Sequence, residues 1–590
     1  MTDAIEATGR DSLGTSPAAL GAIRIGIGVA QGFGLFWLHR ASDGTATWPA
    51  TQPLLFGPLL LVVGFLPVML LAGVGRLRPL TLAIWAGVAG VALALLGLHD
   101  IARQSADTLQ HPPFLSPPVI LFSAAALFIA HHLVAPADME RRRIAGYPAY
   151  FDTATKSLVQ LALSIGFTGA FWALLHLGAA LFRIIGLDFL EDLLGKDWFY
   201  IPVSFVVFAV AVHLTDVRDG LIRGVRTVGL MLLSWLLLVM TVIVAGFVAA
   251  LPFTGLQGLW ETGNATALVL AAAAALVILI NAAYQDGRPD NRPPAVLRVA
   301  VRVAAVLIMP LIVIAFWGLA LRIGQHGLTP DRIIAAACAV VGAAFAIGYG
   351  WAALSPFWRK GDWMRPLERT TIWTGVLALA LILALFSPLL DPARLSVMDQ
   401  VARLGRGAVT PDKFDYRFLR FESGKAGEAA LKRLTASTNA DIGARAKAAQ
   451  TASRYDRRVD ARLVTPILEP WPSGTSLPPE FLRPILTGDP RADCDVVGEC
   501  LATLIDMNRD GAPEVLLATN FNVSLYAKDA QGIWHRQGDY AYSHCSGAPR
   551  GDPRLRLKSG ELTPAAPEWP DLQFTEGVQA PLDRKRACDR

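Results

Sequence analysis

Long apolar stretches alternate with short polar ones over the first two thirds of the chain. A helix needs about 20 mostly apolar residues to cross the hydrocarbon core of a bilayer. Eleven stretches meet this requirement, near residues 18–38, 54–74, 79–98, 117–135, 157–185, 198–214, 227–250, 265–283, 298–322, 331–353 and 371–390. The pattern therefore predicts a mainly α protein, a polytopic transmembrane helical bundle at 18–390 that follows an N-terminal segment, 1–17.

Beyond residue 390 polar and apolar residues mix as they do in soluble proteins, which predicts a C-terminal soluble α+β region. Helix-forming residues dominate 391–460, where Thr410-Pro411-Asp412 resembles a helix start. Proline recurs through 461–498 and 546–590, which predicts a linker and a loosely ordered tail. Apolar runs of strand length predict a β segment at 499–545, with strands near 501–505, 514–519, 523–527 and 533–536.

The placement of Lys and Arg predicts the orientation of the bundle, because loops rich in these residues stay in the cytoplasm. With a cytoplasmic N-terminus, the even-numbered loops are cytoplasmic and hold Arg76, Arg78, Arg141, Arg142, Arg143, Lys156, Arg218, Arg223, Arg226, Arg288, Arg292, Arg298, Arg359, Lys360, Arg365 and Arg369. The odd-numbered loops hold fewer cations, namely Arg40, Arg103, Lys196, Arg322 and Arg332. An odd number of spans then places the C-terminal region in the periplasm, across a bacterial inner membrane.

Composition narrows the choice of partner. Only 17% of the residues are charged and 53% are hydrophobic, whereas soluble proteins carry about 25% charged residues. The net charge of +5 does not indicate nucleic acid, because most cations of the bundle lie in its short loops. We find no Walker loop, dinucleotide fingerprint or zinc-type spacing of Cys and His. The predicted partners are the lipid bilayer and a periplasmic or membrane protein.

Four of the five cysteines lie in the C-terminal region, at Cys494, Cys500, Cys545 and Cys588. In an oxidising compartment such a set predicts two disulfides, with three possible pairings. Cys494 with Cys500 is the short-range candidate. The alternative is four unpaired thiols in a cytosolic tail.

One loop in the β segment has the spacing of a calcium site. Oxygen-bearing side chains recur at Asp506, Asn508, Asp510 and Glu514, and the Ala512 carbonyl adds a further oxygen. Gly511 permits the tight turn that wraps such a loop around Ca²⁺, which prefers six to eight oxygen ligands. An EF-hand would require Glu at residue 517, which is Leu, so the loop instead resembles those of FG-GAP/VCBS-type β repeats. The alternative is a hairpin turn without metal.

Polar residues in or near the spans predict either contacts between helices or a functional cluster. Arg24 and Arg302 are expected to snorkel to the nearby membrane surface. The His and Asp side chains near span ends would form a metal or proton-relay site, or merely reach water and head groups: His39, His99, Asp100, His131, His132, His176, His213 and Asp216. Gly28 and Gly32 permit close packing of two helices, and Asn281 is placed to bond between helices.

Several segments together resemble a bacterial membrane family known as domain-of-unknown-function family 4153. They are Trp48-Pro49-Ala50-Thr51, Leu98-His99-Asp100, Tyr150-Phe151-Asp152 with Phe171-Trp172, Phe182-Arg183-Ile184-Ile185-Gly186, and Lys413-Phe414-Asp415-Tyr416-Arg417-Phe418-Leu419-Arg420-Phe421. The resemblance covers roughly residues 18–435. It implies a multi-pass membrane protein and supplies no activity, so no catalytic residue is carried over.

The sequence favours a protein that is not an enzyme, because it offers no nucleophile–base pair, carboxylate dyad or phosphate loop. The leading hypothesis is an inner-membrane protein that anchors a periplasmic domain for envelope sensing, assembly or partner binding. The first alternative is a small-molecule or ion transporter, which a polar cavity near the bilayer midplane would favour. The second is a membrane enzyme, which would bring titratable residues such as His99, Asp100 and His176 into one pocket.

Overall fold

The structure is a computed structural model. It describes residues 16–44, 46–105, 114–217, 219–255, 265–357, 363–452, 467–486, 499–519, 523–529, 532–540, 552–560, 572–573 and 579–580. The chain divides into two compact units, one of residues 1–414 and 418–437 and one of residues 415–417 and 438–590. The first is a helical bundle and the second contains a small β-sheet.

Within the described residues, eleven helices are long and apolar enough to cross a membrane, and each coincides with one of the predicted stretches. They are α1 Pro17–Ser42, α2 Pro53–Gly73, α3 Pro79–Arg103, α4 Pro117–Met139, α5 Tyr147–Ile184, α7 Asp197–Val217, α8 Asp219–Thr254, α9 Ala265–Tyr284, α10 Ala295–His326, α11 Pro330–Leu354 and α12 Pro366–Leu385. A short helix, α6 Phe189–Leu194, joins α5 to α7. The prediction of a polytopic bundle is confirmed.

Proline marks the start of many of these helices. Its fixed φ suits the first helical turn, where its missing N–H would have no partner in any case. The same residue explains why α12 ends at Leu385 rather than near residue 390. Pro388 disfavours helical backbone at Ser387, so the chain turns there.

The surface of the bundle is apolar where it would face lipid. Leu80 on α3, Leu174 on α5 and Val242 on α8 are each about two thirds exposed or more. In water such a surface would drive aggregation, whereas hydrocarbon accepts it. The exposed apolar side chains and the helix lengths together define a multi-pass membrane protein.

Helix α1 packs closely on α7 through two of its glycines, Gly28 and Gly32. A Cβ built on Gly28 would lie 2.6 Å from the Ala209 Cβ, and one on Gly32 would lie 2.6 Å from the Pro202 Cα. Only glycine leaves room for backbones at this distance. The predicted role of Gly28 and Gly32 in close helix contact is therefore confirmed.

The helices from α8 to α11 form a solid core. Leu276 and Ile280 of α9, Ile308 of α10 and Ala346 of α11 are fully buried in it. A polar chain crosses this core, because the Asn281 side chain accepts from the Tyr147 hydroxyl at 3.1 Å and donates to the Tyr349 hydroxyl at 2.7 Å. Asn281 thus bonds between helices, as its position in a span predicted.

The first compact unit, which we call the membrane unit, continues past the last candidate span to residue 437, and we call the second the β-sheet unit. Two further helices, α13 Pro392–Gly405 and α14 Gly424–Thr435, belong to the same unit. The Lys425 ammonium donates to the Ala102 carbonyl at the end of α3, at 2.7 Å. The predicted segment 391–460 is therefore split between the two units, and a turn rather than a helix start follows Thr410.

The second unit contains a five-stranded sheet with the order β1-β2-β3-β4-β5. Its strands are β1 Ile467–Trp471, β2 Glu499–Ile505, β3 Glu514–Ala518, β4 Val523–Lys528 and β5 Trp534–Tyr540. Strand β1 runs parallel to β2, and the remaining neighbours are antiparallel. A helix, α15 Ala440–Thr451, precedes the sheet.

The segment 461–498, predicted as a Pro-rich linker, contributes to this unit. It supplies strand β1 and helix α16 Pro479–Leu486, and Phe481 packs in the core beneath the sheet beside Val515 and Tyr526. Pro470 is tolerated in β1 because β1 is an edge strand, where one side needs no N–H donors. Strand β2 begins at Glu499, the predicted start of the β segment.

The Pro-rich segment 546–590 also contains secondary structure. Helix α17 Pro553–Lys558 places Leu557 in a second apolar cluster with Leu501, Leu516 and Val523. Two short strands, β6 Leu572–Gln573 and β7 Gln579–Ala580, pair antiparallel.

Candidate functional site

A large cavity lies between α2, α4, α5 and α7 and has a volume of about 920 Å³. We call it the membrane cavity. Its walls are almost wholly apolar, with Phe65, Leu127, Leu161 and Phe208 among the lining residues. Binding sites for small molecules usually have about 300–1,000 Å³. The cavity therefore has the size and surface of a site for an apolar ligand, and it is not the polar cavity that would favour a transporter.

The membrane cavity opens sideways between two helices. Leu121 of α4 and Ile165 of α5 line it, yet their side chains are 67% and 58% exposed. Exposed apolar side chains on membrane-spanning helices face the hydrocarbon core. The opening therefore leads into lipid.

Polar side chains gather at one end of the membrane cavity, where α4 ends and α5 begins its apolar stretch. His131, His132, Ser157 and Gln160 line this end. The His132 Nδ1 lies 2.7 Å from the Phe128 carbonyl and donates to it, which leaves Nε2 as an acceptor. Within the described structure, His132 Nε2 and Ser157 Oγ are buried without a hydrogen-bond partner.

Beside this end, three cationic side chains meet one carboxylate. The Asp216 oxygens accept from Arg24 Nη2 and Arg76 Nη2, each at 2.7 Å, and Lys156 Nζ lies 3.9 Å away. Arg24 also donates to the Val74 carbonyl at 3.0 Å. Its side chain is 2% exposed, so the expectation that Arg24 snorkels to the membrane surface is wrong: it forms a buried ion pair between α1 and α7.

Arg76 links the ion pair to the membrane cavity. Its guanidinium donates to Gln160 Oε1 at 2.9 Å, and Gln160 Nε2 donates to the Val212 carbonyl at 2.9 Å. Gln160 is therefore held from both sides. The polar end of the cavity and the charged groups form one continuous site.

A second cavity of about 470 Å³ adjoins this site and is bordered by charged side chains. Its cations are Arg76, Lys156, Arg223, Arg226 and Arg288, which we call the basic cluster. The anionic residues that line it are Glu140 and Asp152. Asp152 pairs with Arg226 and Asp286 pairs with Arg288. Among the residues that line the cavity, five are cations and two are carboxylates.

A separate polar cluster joins the opposite end of α3 to the start of α13. Asp100 is fully buried and accepts from the Arg103 guanidinium, the Ser116 hydroxyl and the Ser116 N–H. His99 Nε2 lies 3.5 Å from Asp391 Oδ2. The hydrogen bonds of Asp100 tie helix ends together, which is a structural role.

The contacts of His176 in the described structure involve neither His99 nor Asp100, with which the enzyme hypothesis grouped it. Its ring packs beside Trp172 of α5, with centroids 6.2 Å apart. The titratable pocket that this hypothesis required around His99, Asp100 and His176 therefore gains no support.

In the part of the chain that the structure describes, one group of His, Cys, Asp or Glu side chains converges closely enough to hold a metal ion. It consists of His39, Asp43 and Asp197, whose ligand atoms lie within 4.8 Å of one another. His39 Nε2 lies 3.3 Å from Asp197 Oδ2, a polar contact between the end of α1 and the start of α7. His131, His132, His213 and Asp216 do not form such a group.

The predicted calcium loop joins β2 to β3 as a hairpin connection. Asp506 Oδ1 and Asn508 Oδ1 both accept from the Asp510 N–H, at 3.1 and 2.9 Å. Gly511 has φ +88°, the left-handed conformation that the tight turn required of it. Glu514 begins β3 and accepts from the Met507 N–H at 2.7 Å.

These contacts bring the oxygens of the first and third loop positions, Asp506 and Asn508, toward a common point. Asp510 accepts from the Ala512 N–H and from the Asn508 amide. The same hydrogen bonds would hold the loop as a hairpin turn. The geometry fits both alternatives that the sequence left open, and calcium stays a prediction.

Cys500 lies in β2 and is disulfide-bonded. Cys494, Cys545 and Cys588 lie outside the described residues, so the pairing stays a prediction. Cys338, which the sequence placed in a span, is a free thiol on α11.

Sequence reasoning located Arg24 and Asp216 but missed their pairing, and it did not single out Asp138. Asp138 near the end of α4 accepts from the Arg78 N–H, the Arg78 guanidinium and the Thr81 hydroxyl. The available signal was charge complementarity. A buried cation in one span requires an anion at the same depth in another.

The apolar helices, their lipid-facing surface and the ion pairs at helix ends define a polytopic α-helical membrane protein. The sequence model of one family, described as "Domain of unknown function (DUF4153)", matches residues 45–434, about two thirds of the chain. The chain belongs to this family, which confirms the resemblance noted in its sequence. The matched region begins after α1 and ends within α14, so it covers the membrane unit from α2 onward and stops before the β-sheet unit. No curated protein and no solved structure matches the chain.

Proposed function

We propose that this protein anchors a folded domain on the periplasmic side of a bacterial inner membrane. In this proposal the N-terminal segment is cytoplasmic and the bundle crosses the membrane eleven times. The β-sheet unit then serves in envelope sensing, assembly or the binding of a partner protein. The observation that carries the proposal is the odd number of candidate spans, followed by a separate compact unit.

The distribution of charge supports this orientation. Arg76, Lys156 and Arg226 belong to the basic cluster and lie at or near helix ends. The charges of the loops assign this side of the bundle to the cytoplasm. Arg141 and Arg142, which follow α4, lie on that side too. Positive charge on the cytoplasmic side is what the insertion of membrane helices favours.

The disulfide of Cys500 supports an extracytoplasmic sheet. Disulfides persist in the periplasm and are rare in the cytosol, where thiols are kept reduced. Cys500 is buried in the core of the sheet. A cross-link there would stabilise a small domain whose apolar core is limited.

We also propose that the loop at Asp506–Glu514 binds Ca²⁺ as a structural ion. Its ligands would be Asp506, Asn508, Asp510, the Ala512 carbonyl and Glu514. The support is the spacing of these residues, the turn at Gly511 and the position of the loop between two strands. Thermal unfolding of the full chain with calcium and with chelator tests this proposal, and equal melting temperatures would contradict it.

Reporter fusions test the orientation. Alkaline phosphatase folds into an active enzyme only outside the cytoplasm, and green fluorescent protein exported in unfolded form fails to fluoresce there. Fused after Ser437, the phosphatase should be active and the fluorescent protein dark. The same reporters fused after Arg143, in a predicted cytoplasmic loop, are the matched control and should give the reverse. Fluorescence without phosphatase activity after Ser437 would overturn the proposal.

A further inference from the structure

We propose that the membrane cavity and the basic cluster together bind an anionic phospholipid. One acyl chain would occupy the cavity, and the phosphate would lie against Arg76 and Lys156. This inference concerns the membrane unit alone and does not depend on where the β-sheet unit lies.

The dimensions of the cavity suit an acyl chain. Along α5 its lining runs from Ser157 to Trp172, a rise of about 22 Å at ~1.5 Å per residue. One leaflet contributes about half of the ~30 Å hydrocarbon thickness. The cavity is therefore long enough for a chain lying along the helices, and its opening beside Leu121 and Ile165 gives that chain access from the bilayer.

The charge at the polar end suits a phosphate. Arg24 and Arg76 both bond to Asp216. The neighbouring basic cluster lines its cavity with five cations beside two carboxylates, and Arg223 of this cluster is exposed. Unbalanced charge is costly near hydrocarbon. An anionic head group at this place would offset the excess, and anionic lipids attract basic groups at the membrane surface by about 1 kcal/mol for each Lys or Arg.

Two buried polar atoms between the apolar and basic parts suit the glycerol region of a lipid. His132 and Ser157 are 8% and 9% exposed, and within the described residues His132 Nε2 and Ser157 Oγ have no hydrogen-bond partner. Buried polar groups are nearly always bonded. The Ser157 hydroxyl can donate to an ester carbonyl, and His132 Nε2 can accept from a head-group hydroxyl.

The arrangement favours a lipid over a soluble anion. A site for free phosphate would need the basic cluster alone and would leave the apolar cavity without a role. The bond from Arg76 to Gln160 joins the two parts, so a single amphiphile can satisfy both. Apolar volume that opens to lipid is filled by the lipid itself at little cost.

Native mass spectrometry of the full chain tests the proposal. The protein, purified in detergent, is titrated with phosphatidylglycerol, with phosphatidylcholine of the same chains, and with inorganic phosphate. Phosphatidylglycerol should bind preferentially. Lys156→Gln and Arg223→Gln should each weaken its binding about fivefold, which is the loss of one head-group attraction. Arg406→Gln, an exposed cation outside the cluster, is the charge-matched control and should have no effect.

A second pair of variants tests the cavity. A Cβ on Gly64, which lines the cavity, meets nothing within 4 Å, so Gly64→Phe should fill the cavity and reduce phosphatidylglycerol binding severalfold. A Cβ on Gly87 also meets nothing, and Gly87→Phe on the exposed face of α3 is the control. Melting temperatures verify that each variant folds. Equal binding of both lipids, competition by inorganic phosphate, or undiminished binding by folded Gly64→Phe would each overturn the proposal.

Discussion

At the scale of residues, buried and half-buried carboxylates hold the helix ends of the membrane unit together. Asp216, Asp138 and Asp100 each bond to at least one arginine. Each also accepts a hydrogen bond from a residue that lies on another helix or at its end. Such a carboxylate removes the cost of burying an arginine and fixes two elements in register, but losing it leaves its partners without an acceptor.

Asp138 offers the clearest test of this role. Its side chain is 4% exposed, whereas that of Arg78 is 58% exposed. Asp138→Ala should destabilise the protein by about 2–3 kcal/mol, because the Arg78 N–H and the Thr81 hydroxyl lose a charged acceptor. Arg78→Gln should cost clearly less, since it leaves the other donors to Asp138 intact. Thermal unfolding in detergent measures both, and equal losses would contradict this explanation.

Asp391 gives the bundle a dependence on pH. Burial alone would raise the pKa of this carboxyl, but the nearby His99 side chain and the charge of Arg103 outweigh it and hold the pKa below its ordinary value. A lowered pKa in the folded state means that the ionised carboxylate stabilises at neutral pH. That stabilisation is lost as the pH falls through the lowered pKa.

The variant Asp391→Asn distinguishes the effect of the negative charge on stability from the effect of capping α13. Asparagine caps a helix about as well as aspartate, so the N–H of Ala393 keeps its acceptor. The melting temperature of the variant should be lower than that of the parent protein near pH 7. The difference between the two melting temperatures should shrink as the pH falls below about 4. A difference in melting temperature that is constant over this pH range would show that the charge of Asp391 does not contribute to stability.

At the scale of elements, the pairing of α1 with α7 depends on small residues. Gly32→Leu should destabilise the bundle by about 1–3 kcal/mol, because a Cβ there already lies 2.6 Å from the Pro202 Cα. Gly26 is on the same helix, and its Cβ would meet nothing within 4 Å. Gly26→Leu should therefore be nearly neutral. The melting temperatures of the two variants test the difference, and equal values would argue against backbone contact.

The β2–β3 loop is the element to which the calcium proposal belongs. If the ion binds, calcium at about 100 times the Kd should stabilise the full chain by about 2.7 kcal/mol. Asp510→Asn keeps the size of the side chain but removes a charge, so it should abolish most of this shift. Asp529→Asn, in the connection from β4 to β5, is the matched control. A shift that survives Asp510→Asn would place the ion elsewhere.

Sequence patterns predicted elements better than they predicted boundaries between units. The spans were predictable because hydrocarbon imposes a length and an apolar surface on each helix. Strand β1 was not predicted because Pro470 and Pro472 are typical of a linker. The pairing of β1 with β2 accommodates Pro470 because β1 lies at the edge of the sheet. Helices α13 and α14 look soluble in composition, yet they pack with the membrane unit.

The candidate site was less predictable than the fold. The histidines and Asp216 could be placed near span ends, but their partners depend on how the helices pack. The membrane cavity is made by side chains from four helices, and its walls have the same composition as any lipid-facing surface. Nothing in a single sequence distinguishes apolar residues that line a cavity from those that face the bilayer.

At the scale of the whole molecule, the chain comprises two compact units, the membrane unit with its basic cluster and the β-sheet unit. The family match ends with α14 at the close of the membrane unit. The β-sheet unit lies outside the matched region, so membership of the family by itself assigns no role to this unit.

The most direct test of this account is site-resolved labelling with a maleimide that cannot cross membranes. Ser473 follows β1 and is exposed, and Arg142 lies exposed after α4. In a Cys338→Ser background, Ser473→Cys should react in cells whose inner membrane is intact, and Arg142→Cys should react only after that membrane is permeabilised. Labelling of Arg142→Cys but not Ser473→Cys in intact cells would contradict the orientation on which the proposed function depends.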